Sequence, residues 1–204
     1  VMVVVLGVVY AKIFKIEVRE FIPFLCVGLL VWGHISAMFL DAGGLFTASE
    51  SYIKQIRLPY SLYVCRFIWS KVIIFAHNFV IYFGIIVYFQ IWPGAAVLHA
   101  IPGFLVVTLN GALASSYLGV ISARFRDIPQ IVASVFQIVF FITPILWKPD
   151  LLGEHSYFII WNPFYHLVES IRAPLLGQVP SLETNVAVGT ITAVNVLIAA
   201  AFFV

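Results

Sequence analysis

The sequence predicts an all-α fold, a polytopic membrane protein with six transmembrane helices. Three observations carry that prediction. Hydrophobic residues make up 63% of the 204-residue chain and charged residues 10%, against about 25% charged in a typical soluble domain. The mean hydropathy is +1.08. The apolar residues fall into long runs separated by short charged clusters, each run able to satisfy its own backbone as a helix, which lipid requires.

The first run is Val1 to Ala11. Its 11 residues before Lys12 fall short of a crossing, which takes roughly 17–25. The second is Phe21 to Leu40, the third about Val72 to Trp92, the fourth Ala95 to Ser122, the fifth Ile128 to Trp147 and the sixth Val186 to the end. The first and last spans are expected to be truncated. The opening run lacks the basic start and small-residue cleavage site of a signal peptide. Pro93-Gly94 predicts a tight turn that makes runs three and four an antiparallel hairpin. Within run four, Gly111, Ser115 and Gly119 recur every four residues, with Ala112 and Ser116 alongside. Such a small-residue face allows close helix approach in lipid, and packing within the chain is favoured over a dimer seam. The whole is read as one transmembrane domain, 1–204.

With six spans, loops 41–71 and 123–127 share a face holding Lys54, Arg57, Arg66, Lys71, Arg124 and Arg126, while Lys12, Lys15, Arg19, Lys148 and Arg172 lie on the other. Six basic residues against five, with Asp41, Glu50 and Asp127 against six acidic ones, place the first face in the cytoplasm by the positive-inside rule.

Two segments are neither span nor simple turn. Thr47-Ala-Ser-Glu50 fits a capping box. Tyr52, Ile53 and Ile56 then share one face and Glu50, Lys54 and Arg57 the other, and Pro59 ends the helix, giving a short amphipathic helix at about 48–57. It is either a lipid-interface anchor, which the residues alone favour, or a lever for a soluble partner. The second segment, about 148–185, is apolar in its middle (Tyr157 to Leu176) yet carries Pro163, His166, Glu169, Arg172 and Pro174. Charges at bilayer depth are costly. A re-entrant helical hairpin bent at Asn162-Pro163 and an ordinary interfacial loop with a surface Glu169–Arg172 pair are both consistent with these residues. In the hairpin, Glu169 and Arg172 at i and i+3 meet on one face, and removing one charge is expected to hurt more than swapping the two.

Several chemistries are missing from the sequence. There is no G-x-x-x-x-G-K-[ST] phosphate loop, no H-E-x-x-H zinc helix and no G-x-S-x-G elbow. The five histidines are scattered, and His34, His77 and His99 in the spans are read as packing or hydrogen-bonding residues. Cys26 and Cys65 suggest neither a disulfide framework nor a metal cluster. Asp41 and Asp127 lie at span edges, which disfavours a proton-coupled carrier. The net charge of +2 argues against a nucleic-acid partner. What remains is a protein that moves something without supplying the energy itself.

Several short motifs then carry a resemblance. Ile53-Lys-Gln-Ile-Arg-Leu-Pro59, Ala123-Arg-Phe-Arg-Asp-Ile-Pro-Gln-Ile131, Phe141-Ile-Thr-Pro-Ile-Leu-Trp147, Asn162-Pro-Phe-Tyr-His-Leu167 and His77-Asn78 occur in this order over essentially the whole chain. Together they resemble the type-2 ABC exporter permeases that secrete O-antigen, capsular polysaccharide or teichoic acid. The resemblance implies a homodimeric permease of the bacterial cytoplasmic (inner) membrane, paired with two ATP-binding subunits, itself neither an enzyme nor a cofactor binder, and moving a lipid-linked polysaccharide. It implies that the 48–57 segment is a cytoplasmic coupling helix, which overturns the anchor reading. Thr47, Glu50, Lys54, Arg57, Arg124, Arg126 and Asp127 would then meet the ATPase. It also implies that Asn162, Pro163, His166, Glu169 and Arg172 belong to external re-entrant gate helices. On that reading Phe136, Gln137 and Phe140 line the path, since aromatic rings slide along sugar faces without directional bonds. A drug or lipid exporter of the same superfamily is the alternative, and an integral-membrane transferase on lipid-linked sugars is the alternative from another class. A cluster of carboxylates or histidines at one face would mark the transferase, and the sequence offers none.

Overall fold

Proline sets several helix boundaries in this chain: Pro59 before the 60–89 helix, Pro144 after the 128–142 helix and Pro163 at the start of the 163–175 helix. A computed structural model describes residues 2–55 and 58–203, with the backbone alone for 152 and 154–156. Its helices are α1 (Met2–Phe14), α2 (Val18–Leu40), α3 (Gly44–Thr47), α4 (Glu50–Gln55), α5 (Tyr60–Phe89), α6 (Ala100–Arg124), α7 (Ile128–Ile142), α8 (Tyr157–Ile160), α9 (Pro163–Leu175) and α10 (Leu182–Phe203). Short 3₁₀ turns at Asp41–Gly43, Gly94–His99 and Pro149–Ser156 join some of them. There is no strand among the described residues.

Among the described residues, four helical stretches are long and apolar enough to cross a membrane: the one opening at Val18, Tyr60–Phe89, Gly94–Arg124 and Leu182–Phe203. Helices α1 and α7 are apolar but only 13 and 15 residues long. At 1.5 Å per residue they reach about 20 and 22 Å, short of a hydrocarbon core of about 30 Å. The fifth run is therefore shorter than its hydropathy suggests. Pro144 bars the α conformation from the residue before it, and Thr143 accordingly turns extended at φ −80°, ψ 131°, which ends α7. Helix α5 is longer than the third run suggests, because it begins directly after Pro59. Arg66 and Lys71 lie inside its first turns rather than in a loop.

Helix α2 is the centre of the molecule and packs against α1, α5, α6, α7 and α9. Its Val27, Val31, Ile35 and Met38 are buried with Val107 of α6 and Val168 and Ile171 of α9. The small-residue face of α6 packs inside the chain. A Cβ on Gly111 would collide with the Met38 side chain, one on Gly119 would press Phe46 at 3.1 Å, and Ser115 donates to the Met38 carbonyl oxygen at 2.8 Å. Close approach also explains Gly103, where a Cβ would strike the Ser170 backbone oxygen of α9.

Helices α5 and α6 form the expected hairpin. Gln90 caps α5 in the left-handed region, and Gly94, at φ 61°, opens the 3₁₀ turn into α6. Phe75 of α5 stacks on Phe104 of α6 with centroids 4.9 Å apart. His34 of α2 sits against both rings and pairs with Thr108 Oγ1 at 3.1 Å, whereas His77 and His99 lie exposed. The outward faces of α5 and α10 are apolar, with Ile74, Val80, Val87, Val186 and Leu197 all exposed. Hydrocarbon chains suit such a surface and water does not.

Candidate functional site

The predicted site residues fall into three places. At one end of the bundle, the close of α2 and the start of α7 meet: a Cβ on Gly43 would lie 2.6 Å from the Pro129 ring. Asp41 pairs with Lys71, tying the end of α2 to α5, a contact that spacing in the sequence could not show. The capping box does not form as expected. Thr47 closes α3, its hydroxyl donating to the Gly43 carbonyl oxygen at 3.1 Å, and α4 begins at Glu50 itself. Glu50 instead holds Lys54 of the next turn at 2.5 Å, with both side chains well exposed. That hydrogen bond, then the Lys54 charge and more weakly Arg126, hold the Glu50 carboxyl below the usual carboxylate range. Arg57 lies outside the described residues. Arg124 closes α6 with its guanidinium 5.7 Å from the Phe125 ring, Arg126 is exposed, and Asp127 precedes α7 without a side-chain capping bond. Tyr52 and Phe125 are exposed at this same end.

The second place is aromatic. Phe136 of α7 is buried, its ring 4.7 Å from Phe39, 5.7 Å from Trp32 and 5.4 Å from Phe164. Phe140 also rests on Trp32, at 5.8 Å. Gln137 is exposed, about 100° round the helix from Phe136. The structure thus joins Phe136 and Phe140 through α2 and separates Gln137 from them. Beside this cluster opens a groove of about 550 Å³ whose lining includes Phe39, Phe164, Trp161 and Ile191. Three of its polar lining residues join a ladder: Asn110 donates to Thr192 at 2.8 Å, Asn195 to the Asn110 amide oxygen at 3.1 Å, and Tyr117 to Asn195 at 3.2 Å. This ladder holds α10 to α6 in the way polar side chains join membrane helices.

The third place is the broken segment after α7. Asn162 caps α9: its amide oxygen accepts from Phe164 N at 3.0 Å and Tyr165 N at 3.4 Å. Its amide nitrogen donates to Thr143 Oγ1 at 3.0 Å, so the break before α9 is tied to the break after α7. Pro163 takes the first helical position, where no backbone donor is missed. His166 is buried. Its Nε2 donates to the Ile160 carbonyl oxygen at 2.8 Å, leaving Nδ1 to pair with the Thr184 hydroxyl of α10 at 3.3 Å.

Arg172 is 1% exposed and does not form the surface pair that the interfacial-loop reading required. Its Nε and Nη2 donate to one Glu169 oxygen at 2.9 and 2.5 Å, and its Nη1 to the Pro144 carbonyl oxygen at 2.6 Å. The guanidinium lies 4.1 Å from the Phe24 ring centroid of α2. A buried cation thus holds three elements together, its charge met by a carboxylate, a carbonyl and an aromatic face. Beside it is a polar cavity of about 480 Å³ that also contains Glu20, Lys148 and Asp150. The i,i+3 spacing showed the Glu169 contact, but nothing local pointed to Pro144 or Phe24, 28 and 148 residues away.

Comparison with known proteins agrees with this architecture. No family model matches the chain. An O-antigen export system permease protein RfbA of Klebsiella pneumoniae is 25% identical over 186 residues, covering 87% of this chain and 71% of the relative. A second protein of that name, from the same species, is 25% identical over 175 residues, covering 81% and 66%. The chain is similar to O-antigen export permeases. That is the polysaccharide-exporter group its short motifs resemble. With four helices of crossing length and similarity to export permeases, the described residues form an all-helical, multi-pass membrane protein.

Proposed function

We propose that this chain is the permease subunit of an ATP-driven ABC exporter that moves lipid-linked polysaccharide across the bacterial cytoplasmic membrane. The observation that carries the reading is the similarity to O-antigen export permeases over 87% of the chain. The geometry is compatible with it. Two permease copies would pair with two ATP-binding subunits. Helix α4, with Glu50 and Lys54 exposed, would seat on the ATPase together with Arg57 and the turn at Arg124, Arg126 and Asp127. Helices α1 and α7, each too short to cross alone, would complete six crossings together with the residues that adjoin them. Helices α8 and α9 would form the outer gate, broken at Asn162-Pro163 and held by Glu169 and Arg172. The path would run beside Phe136, Gln137 and Phe140. Polarised backbone away from helix is tolerated at membrane depth only where protein or water covers it. The break at Thr143 and Pro144 meets that condition, since both residues are buried.

Deleting the gene in its native host tests this directly. Loss of surface polysaccharide with lipid-linked polymer retained inside the cell, restored by the gene together with an ATPase gene, is the expected result. Unchanged surface polysaccharide would refute it.

A further inference from the structure

We infer that the polar cavity beside Arg172 is a sugar-binding subsite on the outer side of the permease. The inference rests on the exporter reading above and adds a place where one unit of the polymer is held.

Size and charge select the ligand class. At about 480 Å³ the cavity is far larger than an ion needs and lies within the roughly 300–1,000 Å³ of small-molecule sites. Among the described residues it contains three carboxylates (Glu20, Asp150 and Glu169) and two cations (Lys148 and Arg172). Three negative against two positive charges leave a formal −1, which disfavours a phosphate or other anion. The cations are also engaged: Lys148 pairs with Glu20 and Arg172 with Glu169. The groups that remain are an acceptor, an amphoteric hydroxyl and an amide. Among the described residues, the side chains of Asp150, Tyr165 and Gln178 make no hydrogen bond within the chain, and all three line the cavity. A carboxylate, a phenol and an amide converging on one space match a neutral polyhydroxyl ring, which both donates and accepts. Phe24, carrying Lys148 at 5.7 Å and Arg172 at 4.1 Å over its ring, forms part of the wall.

The position suits such a role. The cavity spans the start of α2, the segment after α7 and helix α9, so a bound ring would touch every element that Arg172 joins.

The test places a photo-crosslinking amino acid at Gln178, and separately at Tyr165, in the complete exporter in cells that make the polymer. The same probe at Leu197, exposed on the outward face of α10, is the comparison. The expected result is a carbohydrate-positive adduct at 178 and 165, lost when polymer synthesis is blocked and at least tenfold weaker at 197. Gln178 is read first, because it is exposed in a loop and the probe there leaves the packing intact. If surface polymer is still exported but 178 gives no adduct, or no more than 197, the subsite is wrong and the exporter reading stands. If surface polymer does not depend on this permease at all, both fall.

Discussion

Arg172 Nη1 donates to the Pro144 carbonyl oxygen at 2.6 Å, joining the last turn of α9 to the break that ends α7. This bond changes what substitution should do. Considered as an i,i+3 pair, Glu169 and Arg172 could be exchanged with little loss. In the structure, a carboxylate at 172 would face a carbonyl oxygen that needs a donor, and the Phe24 ring would lose the nearer of its two cations.

The E169R/R172E exchange is therefore expected to be as damaging as Arg172→Gln. Breaking a buried pair typically costs about 3–5 kcal/mol. Arg172→Lys should be intermediate, since one ammonium cannot reproduce a fork that reaches both a carboxylate and a carbonyl. Thermal unfolding of the complex in detergent checks the order. An exchange variant close to wild type would contradict the three-way contact.

Asn162→Ala removes the α9 cap and the tie to Thr143 together. The cap alone is worth about 1 kcal/mol. Asn162→Asp keeps an acceptor for the Phe164 and Tyr165 amides and should retain most of that stability. Equal losses for the two variants would show that the cap contributes nothing.

The glycines predict a ranking rather than a magnitude. A methyl at Gly103 meets the Ser170 backbone oxygen, which cannot move without shifting α9; a methyl at Gly111 meets the Met38 side chain, which partly can. Gly33 has nothing within 4 Å. Gly103→Ala should therefore be worst, costing about 1–3 kcal/mol as overpacking does. Gly111→Ala should be milder and Gly33→Ala near neutral. Melting temperatures of the three variants decide it.

Charge reversal at Lys54 should reduce ATPase recovery and export while leaving membrane insertion intact, because the side chain is exposed and supports no packing. The Glu50–Lys54 contact adds a pH dependence whose sign is fixed. The Glu50 carboxyl is held below its ordinary value, so the contribution is present above the unfolded pKa, about 4.3, and is lost as pH falls through the lower folded value. Docking through α4 should thus be flat from pH 6 to 8. A Lys54→Glu complex that copurified and exported normally would return α4 to the role of a lipid anchor.

How much of this was legible in the sequence depended on whether the deciding partner was local. The start of α2 lay three residues from the beginning of its apolar run, because hydropathy and helix coincide there. The fifth run was drawn five residues too far, since Pro144 sits among apolar neighbours and hydropathy cannot register a missing donor. The third was drawn twelve residues too short, because Arg66 and Lys71 look like loop residues while being compatible with a helix at the membrane edge. Thr47 and Glu50 had capping-box spacing, but a preceding helix already occupied Thr47. Phe136, Gln137 and Phe140 looked contiguous in sequence, yet only the two aromatic rings face α2. The burial of Arg172 depended on Phe24 and Pro144, partners that no local pattern names.

The central claim is that α8 and α9 enter and leave on one side of the membrane, opposite α4. Single cysteines at Tyr157, Leu176 and Lys54, probed with an impermeant thiol reagent on intact cells of a functional Cys-free background, test it most directly. The account predicts labelling at 157 and 176 from outside, and at 54 only after the membrane is opened. Labelling of 157 and 176 from opposite faces would make this segment a true crossing and contradict both the gate and the six-crossing arrangement.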